Sequence, residues 1–397
     1  MRDPRASLGA RPPACPFRER PGRAIMRLSP AGQEVSVKAA IYQAAHQPLT
    51  IEDIDIIDPR PGEILVRTVC SGVCHSDLHF VDGAWSIPMP TVLGHEAAGV
   101  VEKVGAGVTY VAKGDHVIMS FIPFCGSCYF CVRGQPHLCN DPVKGAQAAT
   151  RLSWKGKPVL QFANVGSFSE YMITTEKGLV KIPNEMPMAE AALIGCGVMT
   201  GIGAALYTAQ VPGGSIVAVI GCGGIGLNVI QGCRLAGASE IIAIDVMDSK
   251  LEMAKRFGAT RTINGKETDP VQAVKDATGG LGAEYAFEAI GIPAAAKQAF
   301  QMIRSGGTAV VVGMMPMGSE ISIPGPDFLA EKKLIGCMYG STRFREHMPK
   351  LVDLFLKGRI DLSSLVSQRL KLDEVNAAFD LMKSGKVARS VLEIGHA

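Results

Sequence analysis

The sequence predicts an α/β protein in which a doubly wound parallel sheet is joined to a mainly antiparallel β region that is discontinuous along the chain. Three observations predict it. At 397 residues the chain exceeds what one hydrophobic core usually fills, so two domains are expected. From Val37 to about Met172, short apolar segments such as 63–68 and 99–104 are separated by Gly, Pro and Asp turns, which is the pattern of antiparallel strands. From about Val198 the texture changes to strand, glycine-rich turn and helix in alternation, the signature of a doubly wound sheet.

Taken in order, residues 1–30 carry seven Arg against Asp3 and Glu19, a local charge of +5 that leaves the remainder at −2 (+3 less +5). A near-neutral body with a short basic tail gives no case for nucleic-acid binding. The tail is rich in Arg and Pro and lacks the apolar core of a secretory signal. It reads as a disordered basic extension over 1–35, or as the product of an upstream start with Met26 the true one. The segments 215–220, 240–244, 283–289, 308–312 and Lys333–Gly336 read as buried strands, with helices at 249–257 and 294–303 between them. Beyond about Tyr339 come amphipathic helices at 347–357 and 373–384 and a last strand at 390–394, expected to return to the first region. The resulting division is 36–197 with 341–397 for one domain and 198–340 for the other. The apolar run 191–207 is interrupted by Gly195, Gly197, Gly201 and Gly203, so no membrane span is expected, and a cytoplasmic protein fits.

Gly221, Gly223 and Gly226 form Gly-x-Gly-x-x-Gly directly after the first strand of the second domain and at the opening of a helix. The first glycine permits a tight turn, the second lets backbone approach a pyrophosphate, and the third allows close packing of helix on strand. This is the Rossmann arrangement, with the diphosphate on the helix N-terminus. Asp245 follows the second strand, where an acceptor for the adenosine ribose is needed, and its charge favours NAD over NADP.

Cys125, Cys128, Cys131 and Cys139, with two, two and seven intervening residues, suit a closed tetrahedral structural zinc site. Iron–sulfur ligation and a nucleic-acid-binding knuckle are the alternatives for such spacing. Cys74 in Gly-Val-Cys-His-Ser-Asp, His95 in Gly-His-Glu and Cys196 in Gly-Cys-Gly form a dispersed set; together, two thiolates and one imidazole would leave the fourth position of a zinc ion open for catalysis. Spacing alone does not link these three. The spare thiols Cys70, Cys222, Cys233 and Cys337 read as small buried hydrophobes.

The link comes from a resemblance. From about Ser36 to the end the chain resembles the zinc-containing medium-chain alcohol dehydrogenases, on the strength of Gly72-Val-Cys-His-Ser-Asp77, Gly94-His-Glu-Ala-Ala-Gly99, the four-cysteine lobe, Gly195-Cys-Gly-Val198 and Gly221-Cys-Gly-Gly-Ile-Gly226. Segment 140–166 is similar to the liver-type branch, which keeps a loop there. The resemblance implies a GroES-like catalytic domain beside the Rossmann domain, a catalytic zinc on Cys74, His95 and Cys196, and a structural zinc in the lobe. It implies Ser76 and His79 as a proton relay, and Asp77 and Glu96 as carboxylates around the metal ligands. His75 and Arg389 would contact the coenzyme pyrophosphate, Thr200, Ile225, Val312 and Gly313 would lie near the nicotinamide, and Lys250 beside the adenosine ribose. Trp85, Phe121 and Phe162, with Ala163 alongside, would line the substrate slot.

An aromatic-lined slot suits primary alcohols with aryl or medium-chain bodies and the matching aldehydes. Two other functions stay open at this point. The glutathione-dependent formaldehyde dehydrogenase branch shares most of these motifs, but keeps an Arg shortly after the fourth lobe cysteine where this chain has Asn140-Asp-Pro-Val143. A non-catalytic zinc- and nucleotide-binding structural protein is the other. The liver-type loop implies a homodimer, with Lys333–Gly336 as the pairing edge and a tetramer as the alternative.

Overall fold

The computed structural model describes residues 34–141 and 151–396. Residues 1–33 of the basic extension and residues 142–150 of the liver-type loop lie outside the described residues, while 34 and 35, expected to belong to the extension, open the first strand. Six strands form one parallel sheet in the spatial order Arg261–Asn264, Glu240–Asp245, Ile216–Ile220, Ala283–Glu288, Ile303–Val311, Lys333–Gly336. Numbered by their own chain order this is 3-2-1-4-5-6, the doubly wound dinucleotide-binding order, whose crevice lies at the carboxyl ends of the central strands. Ile216–Ile220 sits in the middle, four of its five residues buried, because helices cover both faces of a parallel sheet and a continuous apolar run is what such a strand needs. The helices Gly224–Ala236 and Asp248–Phe257 each stop at a glycine in the left-handed region, Gly237 at φ 80° and Gly258 at φ 119°.

Two expectations about this sheet change. Arg261–Asn264 is a strand that the sequence pattern does not announce: it is four residues long and only Ile263 is buried. Lys333–Gly336, expected to be buried, is the outer edge and is half-exposed along its length.

The other half of the molecule holds a closed barrel, Glu34–Tyr42, Thr50–Ile57, Leu152–Trp154, Lys157–Gln161 and Thr91–Val92, and a seven-stranded sheet. In that sheet Glu63–Val73 is central, pairing antiparallel with Glu96–Val104, with Tyr171–Thr175 and with the last strand of the chain, Arg389–Glu393. The C-terminal segment therefore does return to the first region, and it sets Arg389 opposite the end of the strand that leads into Cys74.

The apolar run interrupted by glycines is not broken. Met188–Thr208 is one helix, long and apolar enough to cross a membrane, but 89% of its most apolar 18-residue window is buried inside the protein. Its glycines serve contact: a Cβ at Gly201 would come within 2.6 Å of the Ile225 carbonyl oxygen, so this helix and Gly224–Ala236 touch backbone to backbone. Cys70, Cys222 and Cys233 are buried as expected, whereas Cys337 is half-buried beside the Thr208 hydroxyl at 3.4 Å, because it follows the exposed edge strand.

Candidate active site

Three elements bring the dispersed residues together. Cys74 is the N-cap of the short helix His75–Val81. His95 lies in the turn between Thr91–Val92 and Glu96–Val104, and Cys196 sits in a π-helical turn, Ile194–Val198, within the long buried helix. Such turns occur mostly at functional positions, because the extra residue re-aims a side chain. One donor atom from each of Cys74, His95, Cys196 and Glu96 lies within 4.8 Å of the others, and all four residues are buried.

The surrounding charges explain why this cluster is tolerated. Asp77, fully buried, accepts from the Gly94 amide at 2.9 Å and faces His95 Nδ1 at 3.2 Å, which leaves Nε2 of the ring for a ligand role. Glu96 pairs with Arg389 Nη2 at 2.9 Å, both buried. A hydrogen bond from the Cys196 thiol holds Cys74 well below the ordinary thiol range and Cys196 well above it, and Arg389 and His95 add to the fall at Cys74. Burial opposes a charged His95, yet Asp77 and Cys74 together raise it. Burial likewise pushes Glu96 up to about 7 against the pull of Arg389.

These residues fit a zinc ion. Two sulfurs and an imidazole are its preferred donors, and a cation would replace the protons that the thiols and the ring now share. Among the described residues Glu96 Oε2 and Asp77 Oδ2 are buried with no hydrogen-bond partner, which a nearby positive charge would offset. Glu96, expected beside the metal ligands, brings a carboxylate oxygen within 4.8 Å of the other three donor atoms. The physical reason is the missing side chains around it: Cβ atoms at Gly72 and Gly197 would overlap the Glu96 carboxylate and the Arg389 guanidinium respectively. Arg389, expected on the coenzyme diphosphate, directs Nη2 to Glu96 while its Nε packs on Gly224, where a Cβ would come within 2.5 Å. It thus stands between the metal cluster and the start of the dinucleotide helix.

The aromatic residues flank this centre. Phe121 and Phe162 present their rings edge-on to His95 at centroid distances of 5.5 and 5.3 Å. Ala163 follows in a left-handed conformation, φ 53°. Trp85 is half-buried, and its indole N–H donates to the Met315 carbonyl at 2.8 Å. Tyr339, which the sequence marks only as a boundary, packs on Phe121 at 4.3 Å and donates its hydroxyl to the Gly195 carbonyl at 2.6 Å, next to Cys196. Its one recognisable oddity, a non-glycine residue at φ 55°, is invisible in sequence. Ser76 Oγ lies 3.7 Å from Cys74 Sγ, and His79 is one turn further along the same helix.

The glycine turn has the space the coenzyme needs. A Cβ at Gly223 would meet nothing within 4 Å, while at Gly221 it would come within 2.6 Å of Ile290. Asp245 accepts amides from Cys222 (2.8 Å), Val246 (2.8 Å) and Met247 (3.1 Å), which fixes the carboxylate at the end of the second strand. Val312 and Gly313 donate their amides to the Glu288 carbonyl, and Thr200 is buried on the helix that meets Ile225. Burial lowers the pKa of the His75 ring against the pull of Cys74, with smaller contributions from Arg389, His79 and Lys250 in the same direction as burial.

The remaining four cysteines stand together in the half-exposed lobe, with Cys125 and Cys131 sulfurs 3.9 Å apart and Cys128 and Cys139 sulfurs 3.7 Å apart. Amides of Ser127 and Cys128 point at Cys125 and hold its thiol at about 6. Four sulfurs supplied by one loop, with two short pairs between them, fit a closed zinc site.

Two family models cover the chain: the alcohol dehydrogenase GroES-like domain over residues 60–184 and the zinc-binding dehydrogenase domain over 224–357. An alcohol dehydrogenase zinc-binding domain protein from Burkholderia ambifaria is 36% identical and superposes with a TM-score of 0.87, over 92% of this chain and 100% of that one. The chain belongs to the zinc-binding alcohol dehydrogenase family. This dehydrogenase is therefore an oxidoreductase, with the Rossmann and GroES-like halves of that family. It is also similar to benzyl alcohol dehydrogenase from Acinetobacter calcoaceticus, at 31% identity and TM-score 0.85 over 91% of this chain and 100% of that one. Acetophenone reductase from Geotrichum candidum, solved in complex with NAD, is 26% identical with a TM-score of 0.76, over 90% of this chain and 97% of that one.

Proposed function

We propose that the protein is an NAD-dependent zinc alcohol dehydrogenase acting on primary alcohols with aryl or medium-chain bodies and on the corresponding aldehydes. The observation that carries this reading is the buried Cys74, His95 and Cys196 set flanked edge-on by Phe121 and Phe162. Aromatic rings beside the reactive centre favour a CH2OH group on a slim apolar body over a branched secondary alcohol. Similarity to a benzyl alcohol dehydrogenase supports the aryl preference.

Zinc held by these three residues would polarise the substrate oxygen, and NAD on the Gly221 turn would accept the hydride. The protein's own part is positioning and proton handling. Asp77, 3.2 Å from His95 Nδ1, orients the ring; Ser76, whose Oγ lies 3.7 Å from Cys74 Sγ, would take the substrate hydroxyl proton and His79 would carry it outward. Asp245 puts a fixed negative charge where a 2′-phosphate would lie, so NADP should be used at least about tenfold less efficiently than NAD. A second zinc in the cysteine lobe would be structural. We further propose a homodimer joined at Lys333–Gly336, since that edge is open and Phe328, Leu329 and Met338 beside it are 47%, 88% and 48% exposed.

The test is NADH formation with ethanol, hexanol, benzyl alcohol, cyclohexanol and S-hydroxymethylglutathione, with NADP in parallel. Turnover of benzyl alcohol or hexanol with NAD is expected. Activity confined to the glutathione adduct would replace this reading with the formaldehyde dehydrogenase one, and no activity with two zincs bound would move it to a structural role. Light scattering of the purified protein checks the dimer.

A further inference from the structure

The loop that follows the strand Ile303–Val311 carries Val312 and Gly313 and runs on to Met317. It is held from both sides. Behind it, the buried Glu288 carboxylate accepts the amides of Ile290 at 2.7 Å and Gly291 at 2.6 Å. Gly291 in turn lies so close to the loop that a Cβ there would come within 2.5 Å of the Met314 carbonyl oxygen. In front, the Trp85 indole N–H donates to the Met315 carbonyl at 2.8 Å, and the Met317 amide donates to the Ala84 carbonyl at 3.2 Å. The Trp85 amide donates to the His79 carbonyl at 3.1 Å, and its ring packs on the same apolar cluster as Phe162. Trp85 thus ties the helix that begins at Cys74 to the loop that bears Val312 and Gly313.

We propose that Trp85 is a positioning residue for the coenzyme through its N–H, and not only a wall of the alcohol slot. The inference rests on the dehydrogenase reading. A loop pinned at Met315 and Met317 keeps Val312 and Gly313 in one arrangement before any coenzyme arrives. Without the pin the competent arrangement is a smaller fraction of the ensemble, and apparent affinity falls by that fraction. The ring face, by contrast, shapes the alcohol slot and is independent of the N–H.

Replacing Trp85 by benzothienylalanine keeps the ring's shape and removes only the donor. NADH titration of the zinc-loaded full-length protein should then give a Kd raised about fivefold, the worth of one lost intramolecular hydrogen bond. Trp85→Phe should weaken NADH binding to a similar extent, with a raised alcohol KM as well. Trp85 and Trp154 are the only tryptophans, so in a Trp154→Phe background the emission of Trp85 should change when NADH binds. An unchanged NADH Kd in the benzothienylalanine protein, with an unchanged melting temperature, would leave Trp85 as slot wall alone and overturn the proposal. Wild-type protein that binds neither NADH nor NADPH would overturn the dehydrogenase reading itself, and this inference with it.

Discussion

The two cysteine clusters are built on opposite plans. The lobe draws all four of its sulfurs from residues 125–139, half-exposed, and backbone amides of the same loop point at them. The cluster at Cys74 draws on three elements that meet only in the folded chain, is buried, and is surrounded by Asp77, Glu96 and Arg389. A local loop can close around an ion and hold itself together, which is a structural task. A dispersed set makes the fold hold the ion, and the acid and guanidinium beside it offset the charge of a buried centre whose imidazole is flanked by aromatic rings.

The largest effect expected from this contrast is on turnover. Cys196→Ser removes a donor from the buried set, so the rate should fall at least about 1,000-fold. Metal content should drop from two zincs to one, while NADH binding and the melting temperature stay near wild type. An active Cys196→Ser protein would erase the functional distinction between the clusters.

The mirror experiment is Cys131→Ser in the lobe. Metal content should again drop to one, but here the melting temperature should fall by about 5 °C or more, with turnover per folded molecule largely kept at low temperature. Unchanged melting would show that the lobe does not depend on its metal.

The same contrast explains what was legible in the sequence. The lobe could be read from spacing alone, because its geometry is local. So could the glycine turn and Asp245, which the strand–turn–helix order places in register. Cys74, His95 and Cys196 could not be joined by any pattern in the chain; only a family resemblance linked them, and the fold then placed them within one ligand radius. The pairing of Glu96 with Arg389 depends on space left by Gly72 and Gly197, which no spacing in the chain announces. Tyr339, Glu288 and the Trp85 bond to Met315 stayed unseen for the same reason: each acts through a contact across the fold and has no spacing to betray it. In the parallel sheet the strand the pattern does not announce, Arg261–Asn264, is four residues long with only Ile263 buried, so it carries little apolar signal.

A sharper test compares the groups that support each cluster. Asp77→Asn leaves all ligands in place but weakens the hold on His95 Nδ1 from a fully buried position. Zinc affinity or turnover should fall about 10- to 100-fold. A chelator titration separates the two, since the lobe metal supplies an internal reference.

The counterpart in the lobe is Lys177, whose ammonium donates to the Cys125 carbonyl at 2.8 Å from an exposed position. It is the smallest effect on this scale. Water can replace the ammonium at that carbonyl, and an exposed charge contributes little in any case. Lys177→Met should therefore lower the melting temperature by about 2 °C or less, with two zincs still bound and turnover unchanged. The lobe's own amides to its sulfurs remain, which is why loss of an outside support matters less there than at His95. If Lys177→Met instead released the lobe metal, the lobe would depend on its neighbours as the buried cluster does, and the contrast between a self-held and a fold-held site would fail.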